Sequence, residues 1–211
     1  MTGLILAFAV PLAANASLIL GVIPQGAVVA GQPVILSVAL SGLGNQQPPS
    51  LGAYDLQFWY NPMILGSPNV LFGDPVLGDQ LALTVPAITC SGAVPACSSS
   101  TPTQPGPNLT SIEVTETSLD SPTALDSTQP GGFTLFTIGF QTLQAGTSQL
   151  ALSDVLLSDS GGAPLTPNQI NGTSLTVTSG SAIPEPNAGL LALSGMTVLL
   201  AWRRFRSKIT G

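Results

Sequence analysis

The chain has 211 residues, only 7% of them charged, with a formal net charge of −6 and no His. Its Lys and Arg are Arg203, Arg204, Arg206 and Lys208, all at the C-terminal end. The rest of the chain therefore lacks the bases of Ser-His-Asp, Cys-His and Ser-Lys catalysis, and its carboxylates repel phosphate backbones. This excludes the usual hydrolase triads and argues against nucleic acid as a partner. Gly (23) and Pro (19) are abundant, which suits short strands joined by turns better than a helical bundle.

Residues 1–16 form an apolar run ending in Ala14-Asn15-Ala16, the pattern of a signal peptide cleaved between Ala16 and Ser17. It lacks the basic residue that usually precedes such a run. From residue 17 to 181 the sequence alternates with period two. After a first strand in "SLILGVIP", the segment "PVILSVALSG" puts Val34, Leu36, Val38 and Leu40 on one face, and Ile35, Ser37, Ala39 and Ser41 on the other. In "GAYDLQFWYNP", Tyr54, Leu56, Phe58 and Tyr60 oppose Asp55, Gln57 and Trp59. Shorter runs lie near Leu71 and Leu83.

Cys90 and Cys97 lie close together in a Pro/Ser-rich stretch, 84–108, which reads as an insertion between strands. Their spacing fits no zinc site, and export would favour a local disulfide between them. Beyond it, "TSIEVTE" sets Ile112 and Val114 against Glu113. "GGFTLFTIGFQ" sets Phe133 and Leu135 against Phe136, Ile138 and Phe140, and "TSQLALSDV" and "GTSLTVTS" supply the last strands. Gly-, Asn- and Pro-rich turns separate these runs. No segment shows a helical period. The expectation is an all-β, antiparallel β-sandwich with eight or nine strands.

Asp55, Gln57 and Trp59 share the polar face of one strand and are the candidate binding residues. A flat aromatic there would stack on a sugar ring or anchor a protein partner, unless both faces of the strand are buried. Asp154 and Asp159 in "SDVLLSDSGG" are calcium candidates, but their spacing matches no EF-hand loop. No other cofactor is expected. Paired carboxylates can hydrolyse glycosides, yet no feature of the sequence selects a pair. The protein reads as a non-enzyme.

At the end of the chain, Pro184-Glu185-Pro186 precedes an uncharged apolar stretch, 188–202, and then the basic residues at 203–208. As a helix, 188–202 would span roughly 22 Å, short of a hydrocarbon core of about 30 Å unless flanking side chains snorkel. The basic end would stay in the cytoplasm. This segment, 182–211, resembles a PEP-CTERM sorting signal. The resemblance implies export, tethering at the inner membrane, processing by an exosortase, and a place at the cell surface or in an exopolysaccharide matrix.

The body, 17–181, resembles a cohesin domain. "VVAGQPVILSVALSG" is similar to its early strand, "LGAYDLQFWYNPMIL" to the strand ending in a D-P turn, with Asn61 in place of the Asp, and "NGTSLTVTSG" to its closing strand. That resemblance implies a nine-strand jelly-roll that binds rather than catalyses, holding a dockerin-like protein on one sheet face. Exopolysaccharide is the other candidate ligand. A passive matrix component without a dedicated ligand is the alternative reading.

Overall fold

The computed structural model describes residues 17–23, 26–81, 87–91 and 108–180, with backbone alone for 87–91. The signal segment, the run at Leu83, Cys97 and the sorting segment lie outside the described residues, and with them the Cys90–Cys97 pairing and the 188–202 helix. Among the described residues no helix is long and apolar enough to cross a membrane. The chain divides into two units, Met1–Ser179 and Gly180–Gly211, and the sandwich lies in the first.

The strands are β1 (Ile19–Ile23), β2 (Val28–Val29), β3 (Pro33–Ser41), β4 (Leu51–Tyr60), β5 (Leu65–Phe72), β6 (Ala87–Ser91), β7 (Thr110–Thr117), β8 (Gly132–Thr142), β9 (Gly146–Asp159), β10 (Pro164–Leu165), β11 (Gln169–Asn171) and β12 (Thr173–Thr178). One sheet has five strands in the order β11-β1-β3-β8-β5, and the other seven, with β2-β12-β9-β4-β7-β6 in sequence and β10 beside β9. The alternating positions face inward as the sequence indicates. Val34, Leu36, Val38 and Leu40 meet Tyr54, Leu56, Phe58 and Tyr60 in one core. Across it Tyr54 stacks on Phe136 with ring centroids 6.0 Å apart, and Tyr60 tilts against Phe140 at 4.8 Å.

Four features depart from the sequence expectation. The sheets are mixed rather than purely antiparallel, because β1 pairs with β11, and β2 with β12, in parallel. A period-two pattern says which face a residue takes but not the direction of the neighbouring strand. The strand count exceeds eight or nine because two- and three-residue strands extend the sheet edges. β6 falls inside the expected insertion and pairs with β7.

A short helix, α1 (Pro122–Thr128), is the fourth departure. It is capped by the Ser121 hydroxyl, which accepts from Ala124 N, with proline at its first turn. Seven residues are too few to reveal a 3.6-residue period.

The two-sided pattern of β8 also has a local explanation. Val38 pairs with Phe136 but Ala39 pairs with Thr134, so Leu135 is an extra residue at a β-bulge. The bulge resets the phase, and Phe133 and Phe136 both reach the core.

One polar side chain locks the helix segment to the central strand. Gln129 is buried; its Oε1 accepts from Leu51 N (2.7 Å), and its Nε2 donates to the carbonyls of Leu51 (2.7 Å) and Gln80 (3.0 Å). The carboxamide thus acts as a one-residue strand partner at the start of β4. Gln129→Leu keeps the bulk but strands these backbone groups away from water. It should lower the unfolding free energy by on the order of 3 kcal/mol, read as a fall in urea midpoint at unchanged m-value.

Candidate functional site

β4 is a central strand of the seven-stranded sheet, so its outward residues lie mid-face. Asp55 is opposite Thr115, Gln57 opposite Glu113 and Trp59 opposite Ser111 on β7. On the other flank Gln57 pairs with Ser153 and Trp59 with Ala151, while Asp55 pairs with Leu156. Two steps along β4 therefore match three along β9. The extra residue creates a bulge, and Asp154 within it takes a left-handed backbone conformation (φ 50°). Ser153 and Leu156, an odd number of positions apart, consequently share the outer face.

The structure separates the three candidate residues. Trp59 is only 1% exposed, and its Nε1 donates to Ser153 Oγ at 2.8 Å, while that hydroxyl donates to Asp154 Oδ2 at 3.1 Å. Gln57 is 6% exposed, and its Oε1 has no hydrogen-bond partner among the described residues. Of the two readings of Trp59, the buried one describes the ring. An indole with both faces packed cannot stack on a sugar. Among the described residues no aromatic ring is exposed.

Asp55 is half-buried and lines a shallow depression of about 180 Å³ with Ala53, Thr115, Thr117, Leu156 and Ser158. Leu156 is 68% exposed beside it. Burial, and then the neighbouring Asp154 carboxylate, hold the Asp55 carboxyl above the usual carboxylate range. The depression therefore combines an apolar wall, threonine hydroxyls and a carboxylate that gains from a donor or cation brought to it. Sequence alternation already placed Glu113 outward. Leu156 and Thr115 could not be found that way, because only the strand pairing and the β9 bulge bring them to Asp55.

Asp154 and Asp159 do not converge. Five residues of extended chain separate them by roughly 16 Å. Asp159 Oδ1 accepts from Gly161 N (2.9 Å) and Ala163 N (2.8 Å), which fixes the turn after β9. Among the described residues no three His, Cys, Asp or Glu side chains group as metal ligands.

No family model and no curated protein matches the sequence. Solved structures do match its fold. A non-cellulosomal cohesin from the archaeon Archaeoglobus fulgidus superposes with a TM-score of 0.51 at 18% identity, covering 79% of this chain and 93% of that one. A type I cohesin–dockerin complex from Clostridium thermocellum gives 0.53 at 10% identity, covering 79% and 96%. The cohesin module of a family 33 glycoside hydrolase from Clostridium perfringens gives 0.50 at 11%, covering 78% and 99%. The chain has a cohesin-like fold.

The raised Asp55 pKa has a signed consequence. Above it the folded state carries an ionised carboxyl that burial and Asp154 disfavour, so this group lowers stability at neutral pH. The penalty disappears as pH falls through the raised value toward the ordinary 3.8. Asp55→Asn should raise the urea midpoint at pH 7 and leave it unchanged at about pH 3, where the carboxyl is protonated in both states.

Proposed function

We propose that this chain is an exported, non-catalytic module that binds a dockerin-like protein on the outer face of its seven-stranded sheet, around Asp55 and Leu156. One observation carries the reading. The cohesin-like sandwich presents a mid-sheet depression with an exposed leucine beside a carboxylate held out of its preferred ionisation range. A protein partner that seats an apolar side chain on Leu156 and offers a donor or cation to Asp55 relieves both. The burial of Trp59 weighs against exopolysaccharide as the ligand of this face, since sugar recognition there would lack an aromatic platform.

The tail supports an account of place. Pro184-Glu185-Pro186, the apolar stretch 188–202 and the basic cluster of Arg203, Arg204, Arg206 and Lys208 stand in the order of a PEP-CTERM signal. On this reading the chain is tethered at the inner membrane, an exosortase removes the tail, and the module reaches the cell surface or the biofilm matrix.

Two measurements test these readings separately. The full chain, titrated against panels of dockerin modules and of bacterial exopolysaccharides, should bind saturably to a dockerin. Asp55→Lys and Leu156→Asp should each weaken that binding at least about tenfold while each variant keeps a single cooperative urea transition. Binding to a polysaccharide alone would support the sugar reading, and absence of any ligand would leave a passive matrix component. For the address, the intact mass of the secreted form should fit a chain beginning at Ser17 and ending near Pro184-Glu185-Pro186. Recovery of the full-length chain as a soluble cytosolic species would overturn export.

A further inference from the structure

The charges of the sandwich are segregated by sheet. None of β11, β1, β3, β8 or β5 contains an ionisable residue, so the whole five-stranded sheet is free of charge. The carboxylates on strands, Asp55, Glu113, Glu116, Asp154 and Asp159, belong to the seven-stranded sheet, and of the others Asp126 lies in α1 and Asp74, Asp79 and Asp120 in connections. The outer face of the five-stranded sheet nevertheless carries large apolar side chains. Ile35 and Leu71 are 61% and 62% exposed, and Ile23 is 43% exposed. They share this face because Ile23 pairs with Ser37, Ser37 with Thr137 and Thr137 with Leu71, while Ile35 lies opposite Gly139.

The face is also uneven. Ile35, on the middle strand β3, and Leu71, on the edge strand β5, are its most exposed apolar side chains. Toward β1 the surface falls into an open groove of about 360 Å³ lined by Ile19, Gly21, Ile23, Ala39, Ser41 and Asn171. Gly21 has no side chain, and Ala39 opposite it has only a methyl.

We propose that this face pairs with the same face of a second copy. A two-fold contact needs one patch that complements itself, and protruding apolar side chains offset from a groove on the same sheet meet that condition: Ile35 and Leu71 of each copy cover the Gly21–Ala39 groove of the other. Charge selects the occupant. The sandwich has carboxylates and no Lys, Arg or His, so two copies meeting through other faces set carboxylate against carboxylate with no cation between them. The uncharged sheet is where like copies approach with least repulsion. The nearest carboxylate, Asp74 at the end of β5, is engaged: its oxygens accept from Val76 N, Leu77 N and Thr134 N at 2.8, 3.0 and 2.9 Å.

Area sets the strength. Five strands at about 4.8 Å spacing and about seven residues of length give roughly 500 Å² per copy, or about 1,000 Å² in total, the lower bound for a specific interface. The dimer is therefore weak, with dissociation in the micromolar range. It is independent of the dockerin reading, which uses the opposite sheet.

Sedimentation velocity of the full chain in mild detergent, from about 1 to 200 µM, tests the pairing. A monomer–dimer equilibrium is expected, which holds or strengthens as NaCl rises from about 50 to 500 mM because salt screens the net repulsion. Ile35→Asp and Leu71→Asp, both at exposed positions, should raise the dissociation constant at least about tenfold by placing an unpaired charge in the contact, while Leu156→Asp on the other sheet leaves it unchanged. Association that survives both substitutions, or that salt abolishes, overturns the proposal. So does a chain monomeric throughout, whether a thiol introduced by Ile35→Cys is then shielded from alkylation by other parts of the chain or reacts freely.

Discussion

The sandwich must solve its electrostatics without a single cationic side chain. Between residues 17 and 180 there is no Lys, Arg or His, so no carboxylate there can be neutralised by a salt bridge within the sandwich. Each must be placed where solvent or hydrogen-bond donors hold it, and this requirement shapes much of the molecule. Asp74 turns its carboxylate onto the N–H groups of its own turn and of Thr134. Burial opposes its ionisation, but these bonds outweigh burial and draw its pKa down to about 2. Asp159 does the same for the turn into β10, and Asp126 accepts from Ser50 and Ser160, joining α1 to the start of β4 and the end of β9. Even in the interior, Glu116 is served by a neutral donor, the Tyr54 hydroxyl at 2.7 Å. Burial first, and then the Glu116 carboxylate, drive that phenol far above its ordinary pKa and keep it a donor. Acidic residues here work as turn and corner fasteners before they are available for recognition.

That division clarifies which carboxylate is left for a partner. Asp55 has neither a turn to cap nor a cation to pair with, and Asp154 stands beside it because the β9 bulge inserts one residue there. The bulge thus does two things. It turns Leu156 to the outer face, and it places a second negative charge against the first. A donor or cation brought to this arrangement would relieve it.

How far the sequence speaks depends on what alternation encodes. The inward sets of β3 and β4 could be read directly, because every second residue of those strands meets the same environment. Three kinds of information are absent from such a pattern. The first is an inserted residue: Leu135 shifts the phase of β8, and Val38 and Ala39 reveal it only through their pairing. The second is strand partnership, which determines that β1 meets β11 in parallel and that Thr115 and Leu156 flank Asp55. The third is what lies over a face. Trp59 points outward as alternation requires, yet it is buried, and side is not exposure. The short helix stayed hidden because Ser121 and Pro122 announce its start while its length is too small to establish a period.

Sandwich geometry makes the two outer surfaces independent in space. Packed sheets lie about 10 Å apart, with a shared core between their inner faces, so a partner on one outer face does not touch a partner on the other. The core nevertheless joins them mechanically. Tyr54, Phe58 and Tyr60 stand on the strand that carries Asp55, and they pack against Phe136 and Phe140 of β8, a strand of the uncharged sheet. A close-packed aromatic layer resists small displacements of either sheet, so each face is presented as a rigid platform. Rigidity reduces the entropy lost when a flat surface is covered, which matters most for a contact of modest area. The inner-facing aromatics therefore hold the outer positions of β4 and β3 still, while the two outer faces differ in their polarity.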